Sequence, residues 1–295
     1  MAESNFSLQK TLTMLLDEKK YHSLRDILST MNPADIAAIF DDLDQACLPL
    51  LFRLLPKELA AETFVEMEPE AQELLIQGFS DSELKEVIDE LYVDDAVDIV
   101  EEMPANVVQR ILSQAEPDMR KQINEILRYP EDSAGSIMTT EYVSLRPNMT
   151  VEEAILRIRR TGIDKETIYT CYVTRGHKLI GLTSVKDLLL CEDDDATIES
   201  IMQEHVITVG TLDDKEQVAQ MFSKYNFLAL PVVDTENRLV GIVTFDDAMD
   251  VMEDEATEDM EKMAAMLPSE HPYMRSTPVE IWKNRIPWLL LLMVS

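Results

Sequence analysis

The chain has 295 residues, enough for about two or three domains, and with 46% apolar residues it can bury a real core. Its 57 acidic and 26 basic residues leave a net charge of −31, which excludes a surface built to neutralise nucleic-acid phosphates and suits a cation or a basic partner. The three cysteines, Cys47, Cys171 and Cys191, are dispersed and form no Cys-x-x-Cys pair, and only 7 glycines are present. Structural zinc and nucleotide-cradling glycine loops are therefore not expected.

Residues Met1 to Lys10 are too polar for a signal peptide. From there to about residue 128 the chain lacks strand signals, and apolar residues recur at helical spacing in short bursts. The bursts begin at Asn32-Pro33, Leu55-Pro56, Glu68-Pro69, Ser80-Asp81, Val93-Asp94, Met103-Pro104 and Glu116-Pro117. Each start offers a cap residue or a proline suited to the first helical turn. Most starts are about 12 residues apart, so a helix pair repeats about every 24, the pattern of a small α-solenoid. In such a stack each helix buries its face on the next. An irregular helical bundle is the alternative.

From residue 136 the period changes. Ser136-Ile137-Met138 recurs as Ser200-Ile201-Met202, 64 residues later. Each is followed by a β-branched run, Tyr142-Val143 and then Val206 to Val209. Next comes a helix with an acidic start, at Thr150-Val-Glu-Glu and Thr211-Leu-Asp-Asp. Strands are expected over 168–174 and 178–182, then 228–233 and 239–243. Gly181 to Asp187 matches Gly241 to Asp247 at a 60-residue offset, so each copy reads β-α-β-β-α.

Between Asp246 and Glu261, nine of 16 residues are acidic and none is basic. On a helix, Asp247, Asp250, Asp254 and Glu258 share one face, and like charges at i,i+4 each cost a few tenths of a kcal/mol. Divalent cations are the natural compensation, and Mg²⁺, which keeps several waters, fits a diffuse acidic surface. A merely solvated acidic face is the bland reading. The opposite face carries Met249, Met252, Ala256, Met260 and Met263, a stripe suited to a packed seam. A second acidic cluster, Asp94, Asp95, Asp98, Glu101 and Glu102, lies near a helix start, where the helix dipole alone would favour it. At the end, Trp288 to Val294 is apolar, far short of the roughly 20 residues of a membrane helix. A buried tail is one reading. The flanking Trp282, Lys283 and Arg285 favour the edge of a first membrane span.

The tandem copies resemble a pair of CBS domains. The residues that carry this are the two Ser-Ile-Met openings, Leu230-Pro-Val-Val-Asp234, Arg238-Leu-Val-Gly-Ile-Val-Thr244 and the closing Ser/Thr-x-x-Asp pairs. The helical repeat, the junction Tyr129-Pro-Glu-Asp-Ser-Ala-Gly-Ser-Ile-Met-Thr139, Ala256-Thr-Glu-Asp259 and the ending Trp282 to Trp288 further resemble the MgtE family of bacterial magnesium transporters. The resemblance implies an α + α/β chain: an N-terminal superhelix of short helices, a tandem CBS (β-α-β-β-α) pair and a long connecting helix. The divisions are 1–130 for the helical domain, 131–195 and 196–247 for the CBS domains, 248–272 for the connecting helix and 273–295 for the start of a membrane domain.

The resemblance also implies a function: a cytosolic, non-enzymatic Mg²⁺ sensor that closes a membrane pore, C-terminal to this segment, when internal Mg²⁺ is high. It implies a homodimer formed through the CBS domains and the connecting helix. The Mg²⁺ positions carried over are Glu62, Asp94 and Asp98 on the helical domain. On the CBS side and connecting helix they are Asp214, Glu216, Asp247, Asp250, Glu255, Glu258 and Asp259. Asn226 stands where an acid is expected. For ATP, the implied contacts are Ser184, Lys186, Asp187 and Phe227, while Thr170 lacks the aromatic that would help stacking; ATP stays open.

Other chemistry finds little. Gly176 to Gly181 continues Leu-Thr rather than Lys-Ser/Thr, the four histidines are dispersed, and no Gly-x-Ser-x-Gly is present. A stand-alone adenine-nucleotide sensor and an interaction scaffold remain as alternatives, and no nucleic-acid partner is expected.

Overall fold

The structure is a computed structural model, and it describes residues 2–41, 43–263 and 286. The expected remainder of the connecting helix, 264–272, and the apolar terminal run lie outside the described residues. The chain divides into two compact units, Met1–Arg128 and Tyr129–Ser295.

Among its described residues the first unit is built from helices alone. They are α1 (Ala2–Asp17), α2 (Tyr21–Leu28), α3 (Pro33–Asp41), α4 (Leu48–Phe52), α5 (Lys57–Val65), α6 (Pro69–Gly78), α7 (Asp81–Ile88), α8 (Val93–Glu102), α9 (Ala105–Gln114) and α10 (Pro117–Ile126). Pro33, Pro69 and Pro117 open their helices. Pro56 and Pro104 instead stand one residue earlier, as caps, because a fixed φ suits both places. Beyond α1 and α2, which pack on each other, the main packing does not run from each helix to the next. It runs to the next but one, α3 to α5 to α7 to α9, with α4 against α6 and α8 against α10. This is the two-row stack of a repeat whose unit is a helix pair. One continuous core results, with Phe40, Phe52, Phe64, Leu75 and Ile88 buried in it. Glycine C-caps are scarce, so side chains from other helices close the exposed helix ends. Buried Gln72 donates to the Phe64 carbonyl at 2.8 Å, and Arg110 donates to the Ile76 and Phe79 carbonyls.

The second unit contains the two repeats. The first comprises β1 (Tyr142–Leu145), α11 (Val151–Thr161), β2 (Thr167–Arg175), β3 (Lys178–Ser184) and α12 (Val185–Leu190). A short helix, α13 (Ile198–Ile201), leads to β4 (Val209–Gly210), α14 (Lys215–Tyr225), β5 (Ala229–Val233), β6 (Leu239–Thr244) and α15 (Phe245–Met263). Each repeat forms a three-stranded mixed sheet, ordered β1-β2-β3 and β4-β5-β6. In each, the first strand runs parallel to the second and the second antiparallel to the third. Two expectations shift. β4 is shorter than Val206 to Val209, because Val206 packs against the core between the sheets instead of extending the ladder. α14 starts at Lys215 with Asp214, not Thr211, as its cap.

The repeats exchange their openings. Thr139, just after the first Ser-Ile-Met, pairs with Ile242 on β6 of the second repeat. Gln203, just after the second Ser-Ile-Met, pairs with Leu182 on β3 of the first. The hairpin tips also meet, through Leu179 N–H to the Asn237 carbonyl and Leu239 N–H to the His177 carbonyl. Tyr172, Leu179, Ala229, Leu239 and Ile242 fill the space between the sheets. The arrangement is approximately two-fold, so corresponding residues of the two copies occupy corresponding places.

Candidate metal and nucleotide sites

The acidic run forms α15, as expected, but the helix begins at Phe245. Buried Thr244 precedes it, and its hydroxyl donates to Asp247 Oδ2 at 2.5 Å, while its backbone N–H reaches the same oxygen at 3.3 Å. Burial lifts the Asp247 carboxyl to about 6; the charges of Asp246 and Asp250 push it the same way, and the Thr244 bonds oppose them.

Farther along, α14 packs against α15. Half-buried Glu255 is raised above the usual carboxylate range, first by burial and then by the charges of Glu216 and Glu258. The helix pair therefore brings Glu216, Glu255 and Glu258 within electrostatic reach of one another. Asp254 is raised too, by burial and Glu253, against the opposing charge of Lys215. Lys215, absent from the sequence reading, is the cation nearest this group from α14; its only sequence signal is a lone basic residue in an acidic stretch. From α15 itself, Lys262 pairs with Glu258 at 2.7 Å.

The remaining positions are less gathered. Asp214 caps α14 by accepting from Gln217 N–H at 3.0 Å, and exposed Glu216 accepts from Gln220 at 2.9 Å. Asp250 and Asp259 are exposed on α15. In the first unit, Asp94 lies buried in the first turn of α8, Asp98 is exposed one turn on, and Glu62 is exposed on α5. Among the described residues, no three His, Cys, Asp or Glu side chains are close enough to hold an ion by themselves. The acids form a field, not a closed cage.

Asn226 sits in the left-handed region, φ 55° and ψ 45°, as the C-cap of α14, with its N–H bonded to the Phe222 carbonyl at 2.8 Å. Asparagine tolerates that conformation better than most residues, which accounts for an amide here.

In the first repeat, Ser184 and Asp187 form a capping box at the start of α12. The Ser184 hydroxyl donates to Asp187 Oδ2 at 2.7 Å and accepts from Asp187 N–H at 3.0 Å. Lys186 is exposed beside them, and Thr170 pairs with Ser184 across the strands. Phe227 belongs to an aromatic group, 5.4 Å from Tyr225 and 6.4 Å from Phe222 between ring centres. Exposed Phe245 also stands 6.4 Å from Phe222. The motif expected to touch ATP thus has a local duty first, and the Thr244 hydroxyl donates to Asp247 in the same way in the second copy.

A stack of short helices followed by two exchanged β-α-β-β-α repeats defines a CBS pair preceded by a helical N domain. The MgtE intracellular N domain family matches residues 31–132, and the CBS domain family matches 134–192 and 198–254. The chain is 38% identical over 293 residues to the magnesium transporter MgtE of Thermus thermophilus, covering 98% of this chain and 65% of that protein. It is 31% identical to the Bacillus subtilis magnesium transporter MgtE, covering 96% of this chain and 62% of that one. A crystal structure of the cytosolic domain of the Mg²⁺ channel MgtE in complex with ATP superposes with TM-score 0.77 at 38% identity, over 82% of this chain and 99% of that one. The soluble part of a magnesium transporter superposes equally well, with TM-score 0.77 at 33% identity, over 87% of this chain and 100% of that one. This chain belongs to the MgtE family of magnesium transporters. Among its described residues, no helix is long and apolar enough to cross a membrane.

Proposed function

We propose that this chain is the cytosolic Mg²⁺-sensing part of a magnesium transporter, shutting an attached membrane pore when internal Mg²⁺ is high. The observation that carries the reading is the group Glu216, Glu255 and Glu258 on the packed pair α14 and α15, where burial and mutual repulsion raise Glu255. Such a group is under electrostatic tension without a cation and relaxes with one. Asp214, Asp247, Asp250 and Asp259 extend the acidic field along the same helices, and Glu62, Asp94 and Asp98 supply carboxylates on the first unit. Several weak sites acting together suffice to shift a conformational equilibrium, because only their differential affinity for one state matters. α15 would carry the change onward toward a pore.

The active form is a homodimer. Two exposed apolar features support this: Leu189 and Leu190 on α12, and Met249, Met252, Ala256, Met260 and Met263 on α15. ATP is a second ligand, held by Lys186, Asp187 with its cap Ser184, and Phe227; the structural relative that carries ATP favours it.

The test is a titration of the chain with Mg²⁺, followed by thermal unfolding and limited proteolysis, with Na⁺ matched for ionic strength. Saturable stabilisation by Mg²⁺ beyond the Na⁺ control is expected. An identical response to both salts would reduce the effect to screening and reject the sensor reading.

A further inference from the structure

We infer that the face of α11 in the first repeat is a binding site for a soluble phosphate polyanion, separate from the acidic field and from the Ser184–Asp187 position. A cavity of about 470 Å³, within the usual range for small-molecule sites, opens beside this helix. Arg146, Arg157 and Arg160 line it, together with Asn148, Met149 and Leu156. From residue 146 to 160 the sequence has four arginines and two glutamates, a local reversal in a chain of net charge −31.

The three arginines are exposed, and none takes part in an ion pair among the described residues. That is unexpected where acids outnumber bases about two to one. Arg160 lies in the last turn of α11, where the helix dipole favours a cation. The dipole does not account for Arg146, which precedes the helix, or for Arg157, placed three residues from Arg160 where like charges repel. The turn carrying Arg146 is fixed: Met149 N–H bonds the Arg146 carbonyl at 3.2 Å, and Arg146 N–H lies 3.4 Å from the Met149 sulfur. Glu153, the one acid on the wall, is engaged in the α11 capping box, where it accepts from Thr150 N–H at 3.1 Å.

Three guanidinium forks around one concavity match the oxygens of neighbouring phosphates, which guanidinium binds in bidentate fashion. Met149 and half-exposed Leu156 add an apolar wall, suited to the organic part of a nucleoside polyphosphate. Because the chain repels anions overall, saturable anion binding requires a local site such as this one.

The test is calorimetric titration of the chain with inorganic tripolyphosphate in Mg²⁺-free buffer. Saturable binding is expected, weakened at least tenfold by Arg146→Ala, Arg157→Ala and Arg160→Ala together. It should be weakened less by the corresponding lysines, which keep the charge and lose the fork. A charge-matched variant, Arg25→Ala, Lys121→Ala and Arg128→Ala, should bind within twofold of the parent. Circular dichroism of each variant checks folding. No saturable binding by the parent, or equal loss in the charge-matched variant, overturns the proposal. So does loss caused by Lys186→Ala but not by the arginine variant, since the anion then belongs to the nucleotide position. A change of oligomeric mass in the arginine variant without tripolyphosphate binding by the parent would assign this face to a second copy of the chain, and the proposal fails.

Discussion

Gly241, on the last strand of the second repeat, lies against Met138 from the opening of the first. A Cβ at position 241 would stand 2.7 Å from the Met138 sulfur and 2.8 Å from the Thr139 carbonyl oxygen. The relationship is mirrored: a Cβ at Gly181 would meet the Met202 sulfur at 2.7 Å and the Gln203 carbonyl at 2.9 Å. The two Ser-Ile-Met segments and the two strand glycines are thus the complementary halves of one exchanged joint. Gly241→Ala is expected to destabilise the CBS unit by roughly 1–3 kcal/mol, as overpacking in a filled interior does. The methionine can swing aside but the carbonyl cannot, so adding Met138→Ala should restore only part of the loss. Thermal unfolding of the single and double variants measures both effects.

Much of this architecture is legible in the sequence. The repeat of Ser-Ile-Met and of Gly181 to Asp187 reports two copies because each residue type answers a fixed local need. The exchange is not legible, since it joins Thr139 to Ile242 and Gln203 to Leu182, and pairing between distant segments leaves no periodic trace. The acidic helix is equally plain as composition. Which of its acids are strained depends on α14 packing beside Glu255 and on the burial of Asp247, and both are tertiary facts. The resemblance offers Ser184-x-x-Asp187 only as a nucleotide contact; its capping box rests on hydrogen bonds that the structure shows.

Asp247 should make stability fall as pH rises through the mildly acidic range. Its carboxyl titrates near 6 in the fold, above its ordinary 3.8, so the folded state binds more protons between these values. Stability from the protonated form is complete below the unfolded value and is lost as pH rises through about 6. At neutral pH the penalty is on the order of 3 kcal/mol. Asp247→Asn keeps an oxygen acceptor for Thr244 and removes the charge. It is expected to be more stable than the parent at pH 7, equal to it near pH 4, and flatter between. Denaturant midpoints across that range measure the difference.

Glu83 carries the opposite sign. It caps α7 through Ser80, and its carboxylate accepts from Arg53 Nε at 2.6 Å and Nη2 at 3.3 Å. The guanidinium bonds, with the Ser80 N–H, hold it down at about 2 against the ordinary 4.5. Its contribution is present above the ordinary value and is lost as pH falls toward 2. Because both partners are about a third or more exposed, solvent screening limits the effect to about 1 kcal/mol. Glu83→Gln should lower the stability of the helical unit by that amount at pH 7 and flatten its acid limb. Hydrogen exchange of the α7 amides resolves this from changes elsewhere in the chain.

The carboxylates shared by α14 and α15 give the most direct test of cation sensing. Without Mg²⁺, Glu216, Glu255 and Glu258 repel one another, so Glu216→Gln, Glu255→Gln and Glu258→Gln together should stabilise the metal-free chain by roughly 0.5–1 kcal/mol. With Mg²⁺ the order should reverse. An ion that binds only the folded chain stabilises it by RT times the logarithm of one plus its concentration over the dissociation constant, about 1.4 kcal/mol at ten times the dissociation constant of one site. The parent should therefore gain melting temperature as Mg²⁺ rises, while the triple variant gains little, and the two curves should cross. Removing charge alone cannot produce a crossing, since it would displace both curves in one direction. Glu192→Gln, Asp194→Asn and Asp195→Asn remove the same charge from the exposed turn between the repeats and should leave the Mg²⁺ response of the parent intact. If this second variant lost the response as fully as the first, general screening of a −31 chain would explain the stabilisation and the α14–α15 carboxylates would not be its source.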